Sequence, residues 1–207
     1  MVSLEPGLGL YRSDLLGELP GIEHGFGTRH TPHWPGLAAT VKQIHSAEVR
    51  VVSSPGVAGE ADALITREPG LWVAVKTADC LPLLVVDLGQ RQVAAIHAGW
   101  RGVAGQIIQR TVEDMKAEPT NLRVAIGPGI GPCCFEVGAE VAARFGKSGR
   151  TCVDLAQACQ DQLCALGVPA RFISRATACT RCQESDFHSF RRDKESVDRM
   201  FSAIRLV

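Results

Sequence analysis

Residues 72–97 read WVAVKTADCLPLLVVDLGQRQVAAIH, and this stretch decides the fold. Three apolar runs of strand length, Trp72 to Lys76, Leu81 to Asp87 and Gln92 to His97, follow one another with only short breaks between them. The break from Thr77 to Leu81 is too short for a parallel crossover, which needs about a dozen residues. The sheet structure is therefore expected to be mixed and largely antiparallel, and the fold class α+β instead of doubly wound.

Working outward, Leu122 to Ile126 reads as a further strand and Met200 to Val207 as an alternating last one. After Gly102, the residues Val103, Ile107, Ile108, Val112 and Met115 share one side of a helix. Leu155, Cys159, Leu163 and Leu166 do the same within a helical stretch from Val153 to Leu166. A third, short helix is expected after Val137. Arg29 to Thr40 and Ser53 to Glu60 read as irregular surface loops. No repeat, low-complexity tract or linker divides the 207 residues, so 1–207 is read as one domain, long enough to bury a core without staples.

Lys plus Arg and Asp plus Glu are both 22, giving a formal net charge of zero. With no block of like charge, nucleic acid and membrane surfaces are not the expected partners, and a small ligand is. No run approaches the roughly 20 apolar residues of a membrane span, and Met1 to Gly7 lacks the basic-then-apolar pattern of a leader. A cytoplasmic protein is expected, and, with no heptad seam, a monomer. The eight cysteines are read as reduced thiols. Cys152, Cys159 and Cys164 are taken as packing. Cys133-Cys134 and Cys179-Thr-Arg-Cys182 are taken as structural, because no second C-x-x-C completes a four-cysteine centre.

Three residues stand apart. His97 ends a strand and enters the turn His97-Ala-Gly-Trp-Arg-Gly102, Cys80 sits at a corner between two strands, and His45 lies in Lys42-Gln-Ile-His-Ser46. Strand ends and the loops after them are where reactive groups concentrate. Two imidazoles and a thiolate are zinc ligands, and three protein ligands with one position left open is the catalytic pattern. Copper tolerates the same set. Taken singly, a strand-end histidine is usually only hydrogen-bonded and a cysteine beside Leu81 and Pro82 usually packs in a core.

Five motifs then occur in order: Lys42-Gln-Ile-His45, Ala61-Asp-Ala-Leu-Ile-Thr66, Thr77-Ala-Asp-Cys-Leu-Pro82, His97-Ala-Gly-Trp-Arg-Gly102 and Gly127-Pro-Gly-Ile-Gly-Pro-Cys-Cys-Phe-Glu-Val137. Together with Cys179-Thr-Arg-Cys182 and Phe187-His-Ser-Phe-Arg-Arg-Asp193, they resemble the purine nucleoside phosphorylase family formerly labelled laccase-domain or multicopper polyphenol oxidase proteins. The resemblance implies a layered α/β/β/α sandwich and one metal ion, Zn2+, held by His45, Cys80 and His97. It implies phosphorolysis of adenosine, inosine, guanosine or methylthioadenosine, with deamination of adenosine. The chain departs from the family at Gly25-Phe-Gly-Thr-Arg29, which runs straight into His30-Thr-Pro-His33 where relatives carry a longer loop. A shortened pocket wall is expected there.

Water on such a cation has its pKa drawn toward neutrality, and Asp62 and Asp79 are the candidate proton-transfer groups or, equally, partners that orient a histidine. Phosphate needs cations and N–H donors around it, for which Arg29, Lys42 and Arg101 are candidates, with Gln43 as a neutral donor. Three other readings remain open at this point: a metal-free hydrolase with Cys80 as nucleophile and His97 as base, a copper-dependent phenol oxidase, and a factor that edits peptidoglycan precursors. The oxidase would need several copper sites, and only six histidines are present.

Overall fold

The computed structural model describes residues 1–5, 7–194 and 198–207. In chain order its strands are β1 (Val2–Glu5), β2 (Leu10–Ser13), β3 (Ile22–Phe26), β4 (Ala38–Lys42), β5 (Val49–Val51), β6 (Gly56–Glu60), β7 (Ala63–Thr66), β8 (Trp72–Thr77), β9 (Leu81–Asp87), β10 (Gln92–Ala98), β11 (Leu122–Ile126), β12 (Glu136–Val137), β13 (Thr151–Cys152), β14 (Ile173–Arg175) and β15 (Met200–Leu206). The helices are α1 (Asp14–Gly17), α2 (Trp100–Ala104), α3 (Ile107–Met115), α4 (Ala139–Ala142), α5 (Leu155–Ala165) and α6 (Phe190–Asp193).

A seven-stranded sheet, β1-β2-β3-β15-β8-β4-β6, packs face to face with a six-stranded one, β14-β11-β9-β10-β7-β5. Both are mixed and mainly antiparallel; among the described strands the parallel pairs are β4–β6, β4–β8, β5–β7 and β11–β14. The α+β expectation is met. The period-2 side-chain alternation of strands explains the layering. In β9 and β10, Leu84, Val86, Val93 and Ala95 join Phe26, Val73, Val75 and Ile204 of the other sheet in one core. Their neighbours Leu83, Val85, Ala94 and Ile96 point the other way, onto Ile107, Ile108, Met115, Cys159 and Leu163 of α3 and α5. Because both faces of the six-stranded sheet are covered, β9 and β10 read as continuous apolar runs without alternation. On the far face of the seven-stranded sheet, Trp34 lies over Gly25 and makes an edge contact with Trp72, with ring centroids 5.4 Å apart.

The 72–97 stretch does not form consecutive strands of one sheet, as its spacing suggested. β8 belongs to the seven-stranded sheet and β9 and β10 to the six-stranded one. Ala78 to Cys80 is a corner at which the chain steps between layers, and Asp79 takes a left-handed conformation there, φ 88°. The antiparallel character follows from β9–β10 and β8–β15, not from a β8–β9 hairpin.

Other boundaries move as well. The helix expected after Gly102 starts earlier, at Trp100, and breaks at Gly105 and Gln106, where Gln106 is left-handed at φ 65°. Glycine's low helix propensity makes this the weak point. The five residues placed on one helix face are all buried nevertheless. The second helix begins two residues late, at Leu155, capped by the Asp154 side chain, and a short helix does follow Val137. Ser53 to Glu60 is not all loop, since 56–60 form β6, and the end of the Arg29 to Thr40 loop is β4. Of the three cysteines taken as packing, only Cys159 is buried; Cys152 and Cys164 are exposed.

Candidate active site and metal centre

Three chain crossings converge at one end of the strands. Cys80 hangs from the β8–β9 corner, His97 comes from the penultimate position of β10, and His45 lies in the loop after β4, in a left-handed conformation of φ 59°. Their ligand atoms all lie within 4.8 Å of one another, and the two imidazoles meet edge to face with centroids 4.8 Å apart. Close approach depends on two glycines. A Cβ on Gly99 would stand 3.0 Å from Cys80 Sγ and 3.2 Å from His45 Cδ2, and one on Gly102 would stand 3.0 Å from the Ser46 carbonyl. Gly99 thus leaves room for the triad, and Gly102 lets the His45–Ser46 loop rest on α2.

Asp62 organises this arrangement from beneath, fully buried. Its Oδ1 accepts from the His45 N–H at 3.0 Å and lies 2.7 Å from His97 Nδ1. Its Oδ2 accepts from the Ser46 N–H at 2.6 Å, the Ser46 hydroxyl at 2.7 Å and the Ile44 N–H at 3.3 Å. One carboxylate therefore folds the His45 loop and fixes the ring of His97 with Nε2 facing the triad. Burial opposes its ionisation, but the hydrogen bonds from His97 and Ser46 outweigh burial and hold its pKa at about 2. The same bond, with Cys80 beside it, raises His97 to about 9 against the effect of burial. Burial would raise Cys80 too, yet the flanking His45 and His97 bring it down to about 7. The metal-free triad therefore favours a thiolate beside an imidazolium.

Asp79 plays a different part. Its Oδ1 accepts from the Thr180 hydroxyl at 2.7 Å and its Oδ2 from the Arg191 N–H at 2.6 Å, so the β8–β9 corner is stitched to the C-terminal segment. Both oxygens are engaged in structure.

The triad opens into a cleft of about 590 Å3, within the roughly 300–1,000 Å3 typical of small-ligand sites. Lys76, Arg101, Arg191 and Arg199 line it, with Trp100, Phe135 and Phe190 supplying aromatic surface. Asp79 is the only carboxylate among the described lining residues. Arg101 and Lys42 were expected here and are present, though Lys42 is tied to Glu60 at 2.7 Å. Gln43 lines the cleft but its amide is engaged by the backbone of Lys76, donating to the carbonyl and accepting from the N–H, both at 2.8 Å. It splices the end of β4 to β8 and is not a free donor.

Arg29 is a clear correction. Its guanidinium donates to the Glu184 carbonyl at 2.7 Å, and none of residues 29–37 is among the described lining of the cleft. The unusual loop covers a sheet face instead of walling the pocket. Conversely, Arg191, Arg199, Phe190 and Lys76 received no role from sequence. Phe190 and Arg191 sit in the Phe187–Asp193 motif, which was the available signal.

The second correction concerns the thiols. Cys133, Cys134, Cys179 and Cys182, read as unable to complete a four-cysteine centre, bring their sulfurs within 4.8 Å of one another.

Fold and site together define a two-sheet α+β protein in which a cluster of one thiol and two imidazoles opens into a cationic, aromatic cleft. A family model described as multi-copper polyphenol oxidoreductase laccase matches residues 30–207, and the chain belongs to this family. Its curated relatives are named enzymes. It is 41% identical over 182 residues to a purine nucleoside phosphorylase of Deinococcus radiodurans, covering 81% of this chain and 70% of that one. It is 36% identical to adenosine deaminase RL5 from an unknown prokaryotic organism, covering 79% and 72%. Among solved structures, YlmD from Geobacillus stearothermophilus superposes with a TM-score of 0.86 at 27% identity, covering 98% of this chain and 97% of that one. No described helix is long and apolar enough to cross a membrane.

Proposed function

We propose that the chain is a zinc-dependent purine nucleoside phosphorylase with a secondary adenosine deaminase activity. The observation that carries this reading is the union, in one cleft, of a two-imidazole, one-thiol donor set with five cationic side chains and three aromatic rings. The names of the relatives support the choice of substrate.

The donor set fits zinc. His45, Cys80 and His97 would hold it through two nitrogens and a sulfur, and the 4.8 Å ceiling on their separations leaves little side-chain movement to make. When bound, zinc supplies Lewis acidity at its open position. Asp62 keeps the His97 proton on Nδ1, so that Nε2 presents its lone pair. Arg101, Lys76, Arg191 and Arg199 hold phosphate dianion in the cleft by charge-assisted hydrogen bonds. Trp100, Phe135 and Phe190 offer faces for a purine. In phosphorolysis a phosphate oxygen bonds to the anomeric carbon as the bond to the purine nitrogen breaks, its electron pair leaving with the base, which takes up the proton that the phosphate gives up. In deamination water adds at C6 and ammonia leaves. Free thiols throughout the chain are the chemistry of a reducing compartment, and we place the enzyme in the cytoplasm.

The test is chromatography of nucleosides incubated with and without phosphate. Phosphate-dependent free purine from the wild type, lost in His97→Ala and Cys80→Ser, is expected. Equal purine release by all three proteins would refute it.

A second reading has one observation in its favour: Cys80, His97 and Asp62 are also the thiol, imidazole and carboxylate of a cysteine hydrolase. Chelation separates the two, since a metal-free hydrolase keeps its activity and the phosphorylase loses it. A multicopper oxidase is disfavoured by histidine placement. Among the described residues only His45 and His97 gather in a metal-type group, while His24 lies in the core and His30 contacts the Ser185 carbonyl.

A further inference from the structure

The four sulfurs outside the cleft come from two separate loops. Cys133 and Cys134 follow Gly131 in the segment after β11, and Cys179 and Cys182 bracket a turn in which the Cys182 N–H donates to the Cys179 carbonyl at 3.1 Å. The turn directs both of its thiols toward the other loop. Cys182 Sγ lies 3.4 Å from Cys134 Sγ and 3.7 Å from Cys133 Sγ, and the Gly131 N–H donates to Cys179 Sγ at 3.2 Å. These separations exceed by far the roughly 2.05 Å of a disulfide. They lie close to the spacing of about 3.8 Å that four thiolates adopt around a tetrahedral cation at about 2.3 Å.

The backbone is shaped for this meeting. A Cβ on Gly131 would lie 3.3 Å from Cys133 Sγ and 3.3 Å from Cys179 Cβ, so a larger residue would pry the loops apart. Gly129 bridges to Cys179, the Thr180 N–H donates to the Gly129 carbonyl at 3.0 Å, and Arg192 donates to the carbonyls of Thr180 and Arg181. Both loops are thus fixed before any ion arrives, which lowers the ordering cost of binding.

We propose that Cys133, Cys134, Cys179 and Cys182 form a second, closed tetrathiolate site for a thiophilic divalent cation, zinc, separate from the His45–Cys80–His97 centre. Four thiolates leave no open position, so its part is structural. It clamps the loop carrying Ile130 and Phe135 to the loop whose Thr180 holds Asp79, and so fixes one wall of the cleft. The site itself does not rest on the reading of the catalytic centre; the count of two zinc ions in wild type does, and the double-histidine variant separates the two.

The test uses full-length protein purified under reducing conditions with zinc supplied, its metal content measured by plasma mass spectrometry. Wild type is expected to carry two zinc ions per chain, Cys182→Ser and Cys133→Ser one each, and the double variant His45→Ala/His97→Ala one. Both cysteines are exposed, so serine there removes a ligand without opening the core. In the double-histidine variant, cobalt should give intense thiolate charge-transfer bands that disappear when Cys182→Ser is added. Zinc should also protect the four cluster thiols from Ellman's reagent. Retention of two zinc ions in Cys182→Ser, or a reduced double-histidine variant that takes up neither metal, would overturn the proposal.

Discussion

Replacing Asp62 by asparagine tests whether one buried carboxylate builds the metal centre. The change is nearly isosteric but exchanges an acceptor oxygen for a donor amide. If that amide faces His97, the ring must accept at Nδ1, which moves its proton to Nε2 and removes the lone pair aimed at the triad. If it faces Ser46, it opposes the Ser46 N–H, which now contacts Oδ2 at 2.6 Å, and orphans a buried donor at about 1–3 kcal/mol. Either way the metal-free protein should lose about 2 kcal/mol, which for a chain of this size lowers Tm by about 4–8 °C. Zinc affinity should fall about 10–100-fold, as happens when a histidine ligand loses its orienting partner. Chelator-competition titration gives the affinity, and calorimetry in EDTA gives the stability free of the metal's own contribution. Ser46→Ala, which removes the 2.7 Å hydroxyl contact to Asp62 together with the acceptor of the exposed Glu48 N–H at 3.1 Å, should cost about 1 kcal/mol and leave affinity within a few-fold. If Asp62→Asn bound zinc as tightly as wild type, the carboxylate would not be what holds His97 in ligating form.

Gly99→Ala should leave the fold intact while lowering kcat/KM by about 10-fold or more, because its methyl would crowd Cys80 Sγ and His45 Cδ2 in a site sensitive to ångström-scale displacement; unchanged kinetics would show that the triad tolerates spreading. Arg101→Met should raise the KM for phosphate about 10–100-fold, the contribution of a charged hydrogen bond, while phosphate-free deamination of adenosine stays near wild type. A parallel loss of both activities would deny Arg101 a phosphate-specific role. His24 offers a pH test away from the metal. Burial, aided by Arg12, lowers its pKa from 6.5 to about 4, and its Nε2 accepts from the Ser13 N–H at 2.9 Å. As pH falls through 6.5 the unfolded chain binds a proton that the folded one refuses until about 4, so folding stability should drop across that window by up to about 3 kcal/mol. His24→Gln keeps an acceptor for Ser13 without titrating, and urea unfolding from pH 7.5 to 4.5 should show a shallower decline for it. Parallel curves for the two proteins would refute the assignment.

The strands legible in the sequence were those buried on both faces or with clear alternation: β9 and β11 appear with the expected limits and β15 within a residue of them. β6 was missed because its five residues, Gly56–Glu60, are all exposed or intermediate, so no apolar signal marks it. β1 and β2 are four-residue strands beside one edge of the seven-stranded sheet, too short to display a period. The corner at Ala78–Cys80 was misread for a different reason. A short polar break looks the same whether the chain turns back within a sheet or steps across to the next one, and only long-range pairing distinguishes them. Here β15, more than a hundred residues away, takes the place beside β8 that β9 would otherwise fill.

The site divides along the same line. His45, Cys80 and His97 were singled out because ligating residue types fell at turns and strand ends and inside the resembling motifs, and the fold brings their ligand atoms within 4.8 Å of one another. For Asp62 the sequence left proton transfer and histidine orientation as equal alternatives, and its five side-chain contacts, which depend on a left-handed His45, favour the second. The cysteine cluster shows how a spacing rule can fail. A search for paired C-x-x-C motifs assumes that each half-site is a local turn, yet Cys133 and Cys134 are adjacent and converge because Gly131 allows their loop to touch Cys179. Adjacent residues ordinarily diverge, so two neighbouring thiols on one centre require a tightly turned backbone, here held by the Gly131 carbonyl accepting from both the Cys134 and Phe135 N–H groups at 2.9 Å. What brings these four sulfurs together is therefore the turn around a glycine more than the interval between cysteines.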